Sequence, residues 1–474
     1  NRGALRIACE SSPSIQTSTG TSAVGRGWIF AALPGARTDG ARFIPDAIQR
    51  GASAIIVGEG KGIANDGPVP MLCVKNPRRA LALIAARFHP RQPEIAVAVT
   101  GTSGKTSVAD FTRQIFDACH RKAASLGTIG LIKPDGAIYG SLTTPDPVTL
   151  HATLDGLAAE GITHLAFEAS SHGLDQHRLD GVRLTAAAFT NLGRDHMDYH
   201  PTVEHYLGAK MRLFSELLEP GQQVVINTDG AYAAEATAVA NARGLRVITV
   251  GRSGETLRRL SLKNEGFAQV MRVEAQGRTY SIALPLVGAY QAENALTAAG
   301  LAIAAGEDIE PVLAALNHLH GVPGRLEIVG EAKGGLAIVD YAHKPEALAA
   351  ALEACRPFVS GKLISVFGCG GDRDKGKRPL MGQISAEKAD VTIVTDDNPR
   401  SEQPAAIRAE ILGGAKGAME IGDRAEAIRA AVAMMGKGDV VLVAGKGHET
   451  GQIIGDRVIP FSDHEELRRA LESH

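Results

Sequence analysis

Ala96-Val-Ala-Val-Thr-Gly-Thr-Ser-Gly-Lys105-Thr-Ser107 reads as a short buried strand, a turn bracketed by glycines and the opening of a helix. Apolar residues then recur with helical spacing from Val108 to Cys119. Gly101 and Gly104 let the backbone bend so that its N–H groups converge, and the helix N-terminus adds positive partial charge at that point. Within Gly101, Thr102, Ser103, Gly104, Lys105, Thr106 and Ser107, the lysine has the reach for a β- or γ-phosphate and the Thr106 hydroxyl suits Mg²⁺. The loop is shorter than the common GxxxxGK[ST] form, and a glycine-rich turn without a ligand is the plain alternative.

Working outward, 474 residues make room for about three domains. The chain is 44% hydrophobic and 22% charged, with a net charge of −2, which is ordinary for a globular protein and gives no electrostatic footprint for nucleic acid. Aromatic residues make up only 4%, which leaves little for base stacking. Cys9, Cys73, Cys119, Cys355 and Cys369 are scattered and form no CxxC pair, so a reducing, cytoplasmic setting is expected rather than a disulfide scaffold. No apolar run is long enough to span a membrane, and no signal peptide is expected at the start.

In the first 88 residues, strand-like runs at 27–33, 54–57 and 70–74 alternate with helical stretches at 43–50 and 77–88, which predicts a small α/β domain. Pro90-Arg-Gln-Pro93 reads as a linker. The phosphate-loop unit follows, to 324. His164–Glu168 and Ala186–Asn191 read as strands whose carboxyl ends lie where open α/β sheets hold ligands, so Glu168 and His196 are expected at the edge that carries the phosphate loop. The stretch 258–286 reads as an antiparallel patch. From 325, apolar strand cores at 336–340, 363–367, 391–395 and 440–443 alternate with helices, which predicts a second doubly wound, Rossmann-like sheet. The fold class is therefore α/β: a small N-terminal α/β domain at 1–88, a central P-loop ATPase-type doubly wound sheet with a small antiparallel patch at 89–324, and a C-terminal Rossmann-like domain at 325–474.

Glu168, at a strand end near a phosphate loop, suits Mg²⁺, which prefers carboxylate and phosphate oxygens together. His172 and His196 could be ligands or packing residues. By pattern alone Lys210, in His205-Tyr-Leu-Gly-Ala-Lys210, is an exposed helix lysine. After three strands of the last unit come Gly368-Cys-Gly-Gly-Asp-Arg373 through Pro379, Asp396-Asp-Asn-Pro-Arg400 and Gly445-Lys-Gly-His-Glu449. Arg373, Lys377 and Arg378 read as cationic forks for phosphate or carboxylate capture. Arg373, Arg400, Asp397 and Glu449 at one sheet edge would suit a zwitterion, with a surface charge network as the alternative.

These motifs together resemble the Mur ligase family, and within it the branch that adds the third residue of the peptidoglycan stem peptide. The resemblance runs from about Gly27 to the C-terminus. It is carried by Thr100-Gly-Thr-Ser-Gly-Lys-Thr106, Thr143-Thr-Pro145, Glu168-Ala-Ser-Ser-His172, Thr190-Asn-Leu-Gly-Arg-Asp-His196, Gly321-Val-Pro-Gly-Arg325, Asp340-Tyr-Ala-His343 and Asp397-Asn-Pro-Arg400. It implies an ATP-dependent ligase of cytoplasmic peptidoglycan precursor synthesis, serving cell shape and division, and monomeric. The first domain would bind the UDP end of the substrate, the central domain ATP, and the last domain the amino acid.

Residue by residue, the resemblance implies that Lys105 and the loop N–H groups hold the ATP phosphates. Thr106 and Glu168 would bind one Mg²⁺, and His196 a second with Lys210 as an N6-carboxylysine partner. Asn294, Arg325 and Asp340 would contact the nucleotide. Thr143, Thr144, Ser170, Gln176 and Arg178 would hold the UDP-muramoyl dipeptide, and Arg373, Asp397, Asn398, Arg400, Gly445 and Glu449 the incoming amino acid. The Asp-Asn-Pro-Arg form implies meso-diaminopimelate over lysine, because Arg400 can pair with a distal carboxylate that lysine lacks. The implied reaction passes through an acyl phosphate, over which the third domain would close. One stretch departs from the pattern. The family's uridine motif, Asp-Ser-Arg followed by Pro-Gly, is not found before Gly27-Trp-Ile-Phe30, where Gly20-Thr-Ser22 and Arg26-Gly27 stand instead. Rival readings are a lysine-adding ligase, Mur ligase F, a folylpolyglutamate synthetase, and a P-loop ATPase that is not a ligase.

Overall fold

The computed structural model describes residues 7–9, 24–35, 38–60, 68–138 and 142–473. Gly20-Thr-Ser22 lies outside them. By packing, the described residues form two compact units. One draws on 1–105, 121–224 and 231–247, the other on 106–120, 225–230 and 248–474.

In the first unit, Ile7–Cys9, Ile29–Ala32, Ala54–Gly58 and Met71–Val74 pair in parallel, in that order. The helix Pro77–Phe88 follows, capped by the Asn76 side chain with proline at its first position. A second parallel group sets Ile95–Thr100 between Ala186–Phe189 and His164–Glu168, with Ala123–Gly127 on the far side of the latter. These strands are buried on both faces, which explains their unbroken apolar runs. An antiparallel extension, Gly130–Lys133 and Gly136–Ile138, went unread in the sequence because its few residues carry no clear alternation.

In the second unit, Leu257–Glu265, Ala268–Ala275 and Arg278–Leu284 form the expected antiparallel meander. The last sheet runs in the order Glu327–Ala332, Gly335–Asp340, Val440–Ala444, Leu363–Phe367, Val391–Val394, Met419–Glu420. All its neighbours are parallel except the first pair. The period of two along each strand sorts its residues between two cores. Leu336, Ile338, Leu363, Phe367, Val440 and Leu442 enter one core, with residues of the helices Pro345–Cys355, Lys377–Lys388 and Pro404–Leu412. Ala337, Val339, Ile364, Val366, Val441 and Val443 enter the other, with Arg424–Met434 and Asp463–Glu472. Helices on both faces make the sheet doubly wound and leave its strand ends free for loops. The edge strand Glu327–Ala332 and the hairpin Gly451–Ile454 with Arg457–Pro460 are additions to the sequence reading. Among the described residues, no helix is long and apolar enough to cross a membrane.

Candidate active site

The parallel register sets Val99 beside Glu168 and Thr100 beside Phe189, so three strands end level. The phosphate loop leaves Thr100 and is held from the strand end across it. Asn191 Oδ1 accepts from the Ser103 N–H at 3.1 Å, Thr190 Oγ1 donates to the Ser103 carbonyl at 2.7 Å, and the Thr102 N–H donates to the Asn191 carbonyl at 2.8 Å. Thr190 also explains Gly101, whose φ is +150°, since a Cβ there would lie 1.9 Å from the threonine hydroxyl oxygen. Lys105 Nζ reaches back to the Gly101 and Thr102 carbonyls at 3.0 and 2.9 Å.

Lys210 corrects the reading from pattern. It is 1% exposed, not a surface lysine. Its helix, Val203–Arg212, is capped by Thr202 and turns Tyr206, Ala209, Lys210 and Met211 inward. Nζ donates to the Gly101 carbonyl at 2.7 Å and sits 4.4 Å from the centre of the Tyr206 ring. Burial, and next the charge of Lys105, push its amine down to about 6, while Asp195 opposes the shift. At neutral pH the amine is therefore largely unprotonated. His196 lies on the exposed loop between, with φ +54° and its Nε2 3.6 Å from Asp195.

Glu168 is 1% exposed, and its carboxylate accepts the Thr128 N–H at 2.7 Å. The five residues expected to hold the dipeptide gather around it. Thr143 Oγ1 is 3.1 Å from Thr128 Oγ1. Thr144 Oγ1 donates to the Glu168 carbonyl at 2.9 Å and accepts the Ser170 N–H at 3.1 Å. Arg178 donates to the Thr144 carbonyl at 2.6 Å and to Gln176 Oε1 at 2.8 Å. Ser170 caps the short helix that follows. Asn191, Thr190 and Tyr206 were missed as individual supports, although the first two stand inside a quoted motif.

In the second unit, Thr106 and Ser107 open the phosphate-loop helix. Asn294 is buried and donates to Gln291 at 2.9 Å. Asp340 accepts the Leu326 and Ala342 N–H groups, both at 2.8 Å, and burial raises its carboxyl. Arg325 stacks at 5.3 Å from the Tyr341 ring centre. The three strand-end loops do converge. Asn398 donates to Glu449 at 2.9 Å, and Arg400, at φ +51°, donates to the Gly371 carbonyl at 2.9 Å. Arg373 is exposed on the first of these loops, and the Gly445 backbone passes close to Asp397. Two of the expected cationic forks are engaged elsewhere. Arg378 is fully buried and bonded to Glu402 and Glu410, and Lys377 donates to the His343 carbonyl at 2.7 Å. Arg378 is structural because carboxylates from a neighbouring loop and helix already complete it, while Lys377 is taken up by a backbone carbonyl. Arg424 and Asp463, whose side chains are wholly buried, were not read from sequence, and Lys446 stands inside a quoted motif without a role of its own.

The donors fit Mg²⁺. Each in its own unit, Glu168 and the Thr106 hydroxyl offer hard oxygens, the donor type that Mg²⁺ takes alongside phosphate and water.

A strand, phosphate loop and helix beside a buried carboxylate and a buried lysine define a nucleotide-dependent ligase-type site, and the chain belongs to the Mur ligase family. Its residues 16–89 match the Mur ligase family catalytic domain, 99–302 the Mur ligase middle domain, and 324–447 the Mur ligase glutamate ligase domain. It is 60% identical to the UDP-N-acetylmuramoyl-L-alanyl-D-glutamate--2,6-diaminopimelate ligase of Bradyrhizobium diazoefficiens, over 94% of this chain and 92% of that one. It is 57% identical to the ligase of the same name from Rhizobium meliloti, over 94% and 91%. A solved structure of a ligase with that name superposes with a TM-score of 0.74 at 34% identity, covering 96% of this chain and 94% of the other.

Proposed function

We infer that this chain is an ATP-dependent amide ligase that joins meso-diaminopimelate to UDP-N-acetylmuramoyl-L-alanyl-D-glutamate in peptidoglycan precursor synthesis. The observation that carries the reading is the 60% identity across 94% of the chain with a relative of that name. Relatives at this identity favour it over the lysine-adding, Mur ligase F, folylpolyglutamate and non-ligase alternatives.

Lys105 and the N–H groups of Gly101–Ser107 hold and orient the ATP phosphates for transfer of the γ-phosphoryl to the substrate's terminal carboxylate. The resulting acyl phosphate loses phosphate when the amine of diaminopimelate attacks. Mg²⁺, held by Thr106 and Glu168, supplies Lewis-acid neutralisation of phosphoryl charge when bound. Lys210 enters as a carbamate: its depressed amine can take up CO₂, and the carboxylate so formed on Nζ would, with His196, hold a second ion. Thr143, Thr144, Ser170, Gln176 and Arg178 orient the dipeptide end. Asn294, Arg325 and Asp340 serve the nucleotide. Arg373, Asp397, Asn398, Arg400, Gly445 and Glu449 receive the diamino acid. We assign 1–88 to the uridine end, 89–324 to ATP and 325–474 to the amino acid, in a cytoplasmic monomer.

The test is ATP-dependent phosphate release with UDP-N-acetylmuramoyl-L-alanyl-D-glutamate, with diaminopimelate or L-lysine added in parallel. Release with diaminopimelate alone is expected. Equal release with lysine would sink the specificity, and release without any amine would favour an ATPase that is not a ligase.

A further inference from the structure

The turn Gly445-Lys-Gly447 hides a charge. Lys446 is 0% exposed, yet it lies between loops rather than in the core. Gly447, with φ +52°, makes this possible, because a Cβ there would lie 2.7 Å from Tyr341 Cβ. The ammonium has three N–H donors, and three side-chain oxygens face it. Asn398 Oδ1 is at 3.0 Å, Glu449 Oε2 at 3.3 Å and Asp397 Oδ1 at 3.6 Å. Those oxygens belong to three residues that the reading above assigns to the diamino acid.

The contacts decide how each of the three is presented. Asn398 Oδ1 accepts from Lys446 and also from the Ile453 N–H at 2.9 Å. A flipped amide would set its NH₂ against two donors, so Nδ2 must point at Glu449, to which it donates at 2.9 Å. Glu449 is thus held by two donors on one oxygen, although its side chain is 34% exposed. Asp397 Oδ1 is buried with no hydrogen-bond donor, so its charge rests on the nearby cations Lys446 and Arg424. Burial raises the Asp397 carboxyl, and those two cations oppose the shift. Without Lys446, two acids would share one edge of the site with no ammonium between them, and the Asn398 amide would keep only the Ile453 N–H and Glu449 as partners.

We propose that Lys446 is a positioning residue for the amino-acid acceptor, its buried ammonium fixing Asn398, Glu449 and Asp397 in the geometry that receives the substrate's ammonium group. This rests on the assignment of these loops to the diamino acid. The experiment is steady-state phosphate release by Lys446→Met and Lys446→Gln in the full chain, varying ATP, the UDP-muramoyl dipeptide and diaminopimelate in turn, with thermal melting alongside. Loss of hydrogen bonds to a charged group predicts that KM for diaminopimelate rises roughly ten- to a hundredfold in Lys446→Met, and less in Lys446→Gln, which keeps a donor. KM for ATP and for the dipeptide should stay within about twofold. An unchanged KM for diaminopimelate would overturn the proposal, and so would a parallel rise in all three KM values, which marks general loosening. If Lys446→Met does not fold, the same criteria apply to Lys446→Gln. Failure of the unsubstituted protein to respond to diaminopimelate would remove the functional reading itself, and with it this proposal.

Discussion

The phosphate loop and the three-loop acceptor site are built on opposite plans. The first is one contiguous stretch in which the proposed reading leaves recognition to backbone N–H groups, with Lys105 as the main side chain. The second is assembled from loops that start 28 and 49 residues apart (368, 396 and 445), and the proposed reading has it recognise through side chains. A backbone site tolerates side-chain exchange wherever the turn survives. A side-chain site must spend buried counter-charges such as Lys446 and Arg424 to hold its acids in place.

The largest effect should fall on Lys105, the side chain of the contiguous site that the proposed reading sets against phosphate. Lys105→Ala should lower diaminopimelate-dependent phosphate release by roughly 10³-fold, since the developing charge loses its fixed cation. A loss of tenfold or less would mean that the backbone alone suffices.

Lys210→Met should lower activity by roughly a hundredfold, through loss of a metal partner. It should also raise Tm, because a lysine whose amine sits at about 6 in the folded protein disfavours folding at neutral pH. The sign follows from proton binding. Between about pH 6 and the ordinary lysine value, the unfolded chain holds a proton that the folded chain does not, so stability rises with pH across that window. The gain in Tm over the parent, measured by calorimetry in CO₂-free buffer, should be greatest near pH 6 and shrink towards pH 10. A gain that does not vary with pH would show that the lysine is not held neutral.

Arg400→Ala tests the assembled site. Its KM for diaminopimelate should rise about thirtyfold while any release with L-lysine at high concentration stays level, because only diaminopimelate presents a distal carboxylate. Equal losses with both amines would place Arg400 outside specificity. The smallest effect sharpens the contrast: Ser103→Ala should change kcat and KM for ATP by less than about threefold, since the Ser103 N–H and carbonyl carry its bonds to Asn191 and Thr190. A large loss there would break the distinction between backbone-built and side-chain-built sites.

Much of this was legible in order along the chain. Apolar runs of four to six residues gave the strands, proline after Asn76 opened a helix where expected, and strand-end placement put Glu168 level with the phosphate loop. The hairpins at 130–138 and 451–460 were not legible, because they are short and partly exposed. Arg378 was misread as a free fork because Glu402 and Glu410 lie far from it in sequence.

Residue order alone thus settled the α/β class, the phosphate loop and the identity of the residues at the strand ends, since each depends on local periodicity or a contiguous turn. Whether a given lysine is exposed or buried was decided only in three dimensions. Lys210 and Lys446 sit among polar neighbours in sequence, but Gly101 and Tyr206 close over one, and Asp397, Asn398 and Glu449 over the other. Burial and charge balance are sums over segments that only the folded chain brings together, so no window of sequence contains them.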